Sequence, residues 1–177
     1  LRVFEVDQPG PQAWKRRRLG ELGFAIPSWL HFVPVDFEAG QSWWDELGAA
    51  GFDPKRPAIV VSTGVTMYLT REANRATLSQ MARLAPGSTF ATTFMLALDL
   101  LEPAERSALE FVMKRAREAA TPFLSLFSPT EILALAKEAG LANPTYVSAD
   151  DLYRRYFVGR SDGLRAGHAE AFLVATI

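Results

Sequence analysis

There is no cysteine anywhere in the 177 residues. Disulfides, thiolate metal sites and cysteine nucleophiles are therefore excluded. The two histidines, His31 and His168, are too few for a histidine-rich metal centre, and no metal site is expected. The chain also lacks Gly-x-Gly-x-x-Gly, the P-loop pattern and any zinc-ligand spacing. No apolar run approaches the ~20 residues of a membrane-spanning helix. With 19 Lys+Arg against 20 Asp+Glu, the net charge of −1 supplies no basic field for nucleic acid or an anionic membrane. Neither of those partners is expected, and a cytoplasmic location is compatible with the lack of cysteine.

What is present describes a globular α/β protein. Hydrophobic residues make up 49% and charged residues 22%, a composition for folding rather than disorder. The length suits one domain with a sizeable core, spanning residues 1–177. The chain opens on Leu1-Arg2-Val3-Phe4-Glu5-Val6-Asp7-Gln8-Pro9, an apolar run that ends in an acid and meets a proline. A buried parallel strand that delivers a carboxylate to the carboxyl edge of a sheet has this form. That edge is where doubly wound folds bind nucleotide-like ligands, and an acid there can accept hydrogen bonds from both ribose hydroxyls. Leu30-His31-Phe32-Val33-Pro34-Val35-Asp36-Phe37-Glu38 repeats the pattern, with Asp36 29 residues after Asp7. That spacing holds one strand–helix–strand unit. It suggests one carboxylate for a ribose and one near an adenine amine. Read alone, either aspartate is equally a helix cap or a turn residue.

The remaining elements follow in order. Strands are predicted over residues 3–6 and 32–35, with Pro11 as the first residue of a helix reaching about residue 22. That helix carries Lys15-Arg16-Arg17-Arg18, a solvated face in the first instance and a phosphate contact in the second. Ser42 with Asp45 resembles a capping box, and Gly51 closes the short helix it opens. The wholly apolar stretch over residues 57–62 predicts a third strand, buried on both faces. Thr70 caps a helix over residues 71–84, with Ala73, Thr77, Met81 and Leu84 on one face, and a fourth strand covers residues 88–95. To this point strand and helix alternate, which predicts a parallel sheet. The pattern then changes. Helices are expected over residues 104–119 and 129–139, the second opened by the capping box Ser128-Pro129-Thr130-Glu131 and stopped by Gly140. Strands over residues 145–148 and 169–177, with a turn at Asp162-Gly163 between them, suggest an antiparallel pair closing one edge.

Candidate site residues cluster after strands. Ser62-Thr63-Gly64-Val65-Thr66-Met67-Tyr68-Leu69 follows the third strand. Gly64 permits close backbone approach to a ligand. Tyr68 is either a substrate contact or a buried tyrosine with one satisfied hydrogen bond. His31 suits strand packing, and His168 lies in a polar loop where either a structural or a chemical role is open. Asp150-Asp151 fits a helix cap better than a metal site.

Four separated segments then resemble one family. They are Val3-Phe4-Glu5-Val6-Asp7-Gln8-Pro9, Val33-Pro34-Val35-Asp36-Phe37-Glu38, Gly51-Phe52-Asp53-Pro54 and Gly64-Val65-Thr66-Met67-Tyr68-Leu69. Together they resemble the leucine carboxyl methyltransferases, in particular a bacterial branch that uses S-adenosylmethionine. Gly159-Arg160-Ser161-Asp162-Gly163-Leu164-Arg165 is similar to that branch's C-terminal signature. The resemblance implies a class I, Rossmann-like methyltransferase sheet, mostly parallel with an antiparallel last strand. It implies S-adenosylmethionine as cofactor, its ribose on Asp7, its adenine region at Asp36 and Phe37, and the backbone of Ser62, Thr63 and Gly64 lining it. Where the family carries Glu, this chain has Thr63. The family's central first strand and glycine loop have no counterpart in these residues, so a preceding segment or a second copy in a homodimer is expected to cover the open sheet edges.

The expected activity is methyl transfer to a carboxylate or hydroxyl oxygen of a small molecule. An in-line displacement of this kind needs mainly alignment and exclusion of water. A carboxylate acceptor needs no base and a hydroxyl does, and no base stands out in the sequence. Two other readings stay open. One is a non-catalytic fragment that keeps the fold as a binding module, which Thr63 and the lacking glycine loop favour. The other is a nicotinamide-type oxidoreductase, since strand-end acids hold its ribose as well.

Overall fold

The apolar run that opens the chain becomes strand β1 (Val3–Asp7), and the second becomes β2 (Leu30–Pro34). This computed structural model describes residues 1–37 and 39–177, so Glu38 of the second motif lies outside the described residues. The chain divides into two compact units, Leu1–Pro54 and Lys55–Ile177.

In the first unit β1 and β2 pair in parallel, Val3 opposite Leu30 and Asp7 opposite Pro34. Helix α1 (Pro9–Glu21) connects them. It starts two residues before the expected Pro11, and Pro11 is tolerated because the N–H groups of a first turn have no intrahelical partner. Its one buried residue is Gln12, whose amide donates to the Glu5 carbonyl at 2.9 Å and ties the helix to β1. The basic run is a solvated face: Lys15 pairs with Glu5, Arg18 with Glu21, and Arg16 lies over the Phe32 ring. Ser42 caps the short helix α2 (Trp43–Ala49) by accepting from the Asp45 N–H. Gly51 then turns the chain at φ +89°, a conformation costly for other residues. The core of this unit is Val33, Val35 and Leu47, packed by Phe4, Val6, Trp43 and Phe52. His31 packs as expected, stacked on Phe4 with 5.0 Å between ring centres.

The second unit is built on a four-stranded sheet in the order β3-β4-β6-β5. Strands β3 (Ile59–Ser62) and β4 (Thr89–Met95) are parallel, whereas β6 (Glu170–Thr176) runs antiparallel to both β4 and β5 (Thr145–Val147). The late change of pattern in the sequence is this antiparallel insertion. Its core is Phe90, Phe94, Phe127, Met81, Ile132 and Leu173, all under 2% exposed. Helices α3 (Arg71–Met81), α4 (Pro103–Glu118) and α5 (Pro129–Glu138) pack around the sheet, and the short α6 (Ala149–Leu152) follows β5. The full capping box of α5 forms: Ser128 Oγ accepts from the Glu131 N–H, and the Glu131 carboxylate accepts from the Ser128 N–H. Asp151 caps α6 in the same way against Ser148.

Two expectations need correction. Strand β3 is not buried on both faces: Ile59 is 80% exposed and Val61 63%. It is the edge strand of its sheet, and the helices that pack against this sheet leave the face carrying Ile59 and Val61 open. Apolar composition alone reports how well a strand suits burial, not whether a cover is present. In α3 the buried residues are Asn74, Leu78 and Met81, while Ala73 and Thr77 are only half-buried. The buried face is rotated because Asn74, polar and passed over in the apolar pattern, is turned inward to bond the loop before it.

Candidate functional site

Asp7 and Asp36 meet at one edge. β1 and β2 run the same way, and the Val35 N–H donates to the Asp7 carbonyl at 2.9 Å, continuing the ladder one residue past the strands. Both aspartates therefore sit at the carboxyl edge of adjacent parallel strands, as their places in the sequence imply. Asp7 is exposed, and its Oδ1 accepts the Gln8 N–H at 2.7 Å at the start of α1. That bond engages one oxygen of a carboxylate whose residue stays exposed. Asp36 is also a turn residue, with its Oδ1 accepting the Ala39 N–H at 2.9 Å. The Gln41 side chain accepts the Asp36 N–H, so the loop is closed on both sides. Phe37 follows with its side chain 44% exposed, an aromatic face available at the same edge.

The other expected contacts belong to the second unit. Ser62 ends β3, and exposed Thr63 and Gly64 follow. Gly64 takes φ +68°, and its N–H donates to Thr93 Oγ1 at 2.8 Å. A Cβ at Gly64 would meet nothing within 4 Å, so the positive φ, not crowding, is what requires glycine there. Thr66 Oγ1 donates to the Thr93 carbonyl, and the Asn74 amide reaches the carbonyls of Thr66, Leu69 and Thr70. The loop after β3 is thus pinned from β4 and from α3. Tyr68 is not the buried tyrosine of the alternative reading: it is 44% exposed and packs edge-on against Phe123, 5.3 Å between ring centres.

One cluster escaped the sequence reasoning. His168 Nδ1 lies 2.8 Å from Glu105 Oε1, and the same oxygen accepts the His168 backbone N–H at 3.2 Å. His168 Nε2 lies 3.5 Å from Asp150 Oδ1. The Glu105 bond, followed by Asp150, raises the imidazole's pKa above its ordinary value. Glu105 is in the first turn of α4, Asp150 is in α6, and His168 precedes β6, so no local spacing joins them.

Known proteins share sequence and fold with this chain. Residues 1–82 match the family model for leucine carboxyl methyltransferase. Through this match, the first 82 residues are similar to that family. A Bacillus subtilis relative named "Putative S-adenosyl-L-methionine-dependent methyltransferase YktD" is 32% identical over 94% of this chain and 54% of its own length. The chain thus spans about half the length of that curated relative. Among solved structures, a DUF574 family protein from Streptomyces avermitilis superposes over 99% of this chain and 64% of its own, at TM-score 0.65 and 19% identity. Human N-acetylserotonin methyltransferase, solved in complex with S-adenosylmethionine, covers 99% of this chain and 40% of its own at TM-score 0.55 and 13% identity. The fold is that of the class I methyltransferases. No helix among the described residues is long and apolar enough to cross a membrane.

Proposed function

We propose that this chain is a leucine carboxyl methyltransferase relative that binds S-adenosylmethionine and takes part in methyl transfer to an oxygen of a small molecule. The observation that carries the reading is the pair of carboxylates, Asp7 and Asp36, at the carboxyl edge of two adjacent parallel strands. Ligands of open α/β sheets bind at that edge, and an acid there suits a ribose diol. The residues fit the cofactor's adenosine half: Asp7 is an exposed carboxylate for the ribose, and Phe37 offers an exposed ring beside Asp36 for the adenine. The cofactor supplies an electrophilic methyl group, and the chain's own residues bind and orient.

The test is calorimetry of S-adenosylhomocysteine binding to the intact protein. Asp7→Ala is expected to weaken binding by about 1.5–3 kcal/mol, the range for hydrogen bonds to a charged group. Unchanged affinity in a folded variant removes Asp7 from the site and the reading with it.

A further inference from the structure

We infer that the open face of the second unit's sheet binds a medium-chain fatty carboxylate, its head on Arg155 and its tail along a row of apolar side chains. The site lies wholly within Lys55–Ile177 and does not rest on the methyl-transfer reading. The pairing register assigns the two faces of this sheet. Val61 stands opposite Ala91, Ala91 opposite Val174, and Val174 opposite Thr145, so these four share one face. Phe172 with its partner Val147 belongs to the same face, as does Ile59, two residues before Val61. The opposite face carries Phe90, Phe94 and Leu173, all buried. The first face is bare by comparison: Ile59 and Val61 are exposed, and Ala91, Val147, Phe172 and Val174 are only half-buried.

The place for the head is at the β5 end of this face. After α6 the chain makes a π-helical turn over Tyr153–Phe157, in which the Val158 N–H donates to the Tyr153 carbonyl at 3.1 Å, five residues back. Such turns are rare and recur at functional sites. Leu152, Arg155 and Tyr156 from this segment, with Val147, Phe172 and Val174 from the sheet, line a recess of about 270 Å³. Arg155 is the single charged residue of that lining. The acids beside it are engaged. Asp151 holds Arg154 at 2.6 Å and accepts Ser148 Oγ, and Asp150 lies 3.5 Å from His168. Among the described residues nothing pairs with Arg155. A guanidinium that borders an apolar recess without an anion of its own is matched by a carboxylate, which its forked donors hold at both oxygens.

The lining also sets the rest of the ligand. No acid lines the recess, so an amine finds no partner there. Val147, Leu152, Phe172 and Val174 ask for hydrocarbon. The register then sets its shape. Val174 belongs both to the recess and to the cross-strand row Val174, Ala91, Val61. That row crosses two strand spacings, roughly 10 Å, and runs out to the exposed Val61 on the edge strand. It holds no charged residue. A linear chain anchored at Arg155 covers the recess and then the row, and buries apolar surface along its whole length. A compact body fills the recess and leaves the row in water. The combination of one unpaired guanidinium and a long apolar row therefore selects a fatty carboxylate.

The experiment is NMR titration of the intact protein with octanoate, below its micelle-forming concentration, following the methyl signals of Val147, Val174 and Val61. Octanoate is expected to move all three. 1-Octanol keeps the chain and lacks the charge, and should bind at least about ten-fold more weakly, a difference of about 1.4 kcal/mol. Hexanoate should bind at least about four-fold more weakly than octanoate, the worth of one buried methylene. Arg155 is exposed, so Arg155→Gln should fold normally and bring octanoate down to the affinity of octanol. Octanol binding as tightly as octanoate, or an Arg155→Gln variant that binds octanoate unchanged, overturns the inference and leaves an unselective apolar surface. Val61 unmoved, with hexanoate equal to octanoate, overturns the tail's path and with it the fatty class. Sedimentation in the same buffer tests the other occupant. A dimer whose Val61 and Val174 signals do not respond to octanoate overturns the inference in favour of a second copy on this face.

Discussion

Replacing Asn74 tests how the loop after β3 is held. Asn74 is 3% exposed, and its Nδ2 lies 3.0, 3.3 and 3.1 Å from the carbonyls of Thr66, Leu69 and Thr70. Two amide hydrogens serve three acceptors, so one is shared. None of the three carbonyls depends on Asn74 alone. Thr66 also accepts the Leu69 N–H, Leu69 accepts Ser125 Oγ at 2.7 Å, and Thr70 accepts the Asn74 N–H as the first bond of α3. Asn74→Ala therefore removes two hydrogen bonds without leaving a buried orphan. At about 0.5–1.5 kcal/mol for each bond, the expected loss is about 1–3 kcal/mol. Asn74→Asp is worse, because it aims a desolvated carboxylate at three carbonyl oxygens, and several kcal/mol is expected. The assay is urea unfolding, with the midpoint shifting at unchanged slope. An Asn74→Ala loss within about 0.5 kcal/mol, the range of a surface substitution, refutes the pinning argument. So does Asn74→Asp at parity with Asn74→Ala.

Two more outcomes follow from the helix caps. Ser128→Ala removes the acceptor for the Glu131 N–H and should cost about 1 kcal/mol in the same unfolding assay, with no effect expected on cofactor-product binding. Hydrogen bonds from Ser148, with help from Arg154, lower the Asp151 pKa from 3.8 to about 2. A depressed acid stabilises the fold fully above its unfolded pKa and loses that contribution as pH falls through the folded one. The loss is therefore expected between about pH 4 and pH 2, and Asp151→Asn should flatten that part of the acid limb. An acid limb unchanged in Asp151→Asn would exclude this origin.

How far the sequence showed the fold depended on whether a signal was local. Capping residues are local, since Ser128 and Glu131 satisfy each other's backbone within four residues, and the boundary of α5 followed. Strand-end acids are nearly as local, because parallel pairing with a crossover helix places Asp7 and Asp36 at one edge whatever else the chain does. Burial is not local. The stretch Ile59-Val60-Val61 has the composition of a fully covered strand, yet Ile59 and Val61 are exposed, because cover comes from other elements. Asn74 failed in the opposite direction: its polarity took it out of the apolar pattern, and its three carbonyl partners put it in the interior.

The histidine cluster shows why long-range side-chain groupings were harder to read than the fold. Glu105 and His168 are 63 residues apart, and Asp150 lies 18 residues before His168. The three come together through one topological step. After α5, the chain adds β5 at the sheet's far side and returns as β6 between β5 and β4, running opposite to β4. That reversal sets the amino end of β6 beside the carboxyl end of β4, and so beside the start of the helix that β4 leads into. A residue just before β6 then faces a residue in the first turn of α4. The sequence did show a late antiparallel pair. It did not show that the last strand would lie between β4 and β5 rather than outside them, and the meeting of His168 with Glu105 depends on that choice. A lone histidine in a polar loop carries no such information. Its meaning comes from the strand register, in which Met95 stands opposite Glu170 and brings His168 to the carboxyl edge of β4, within reach of Glu105.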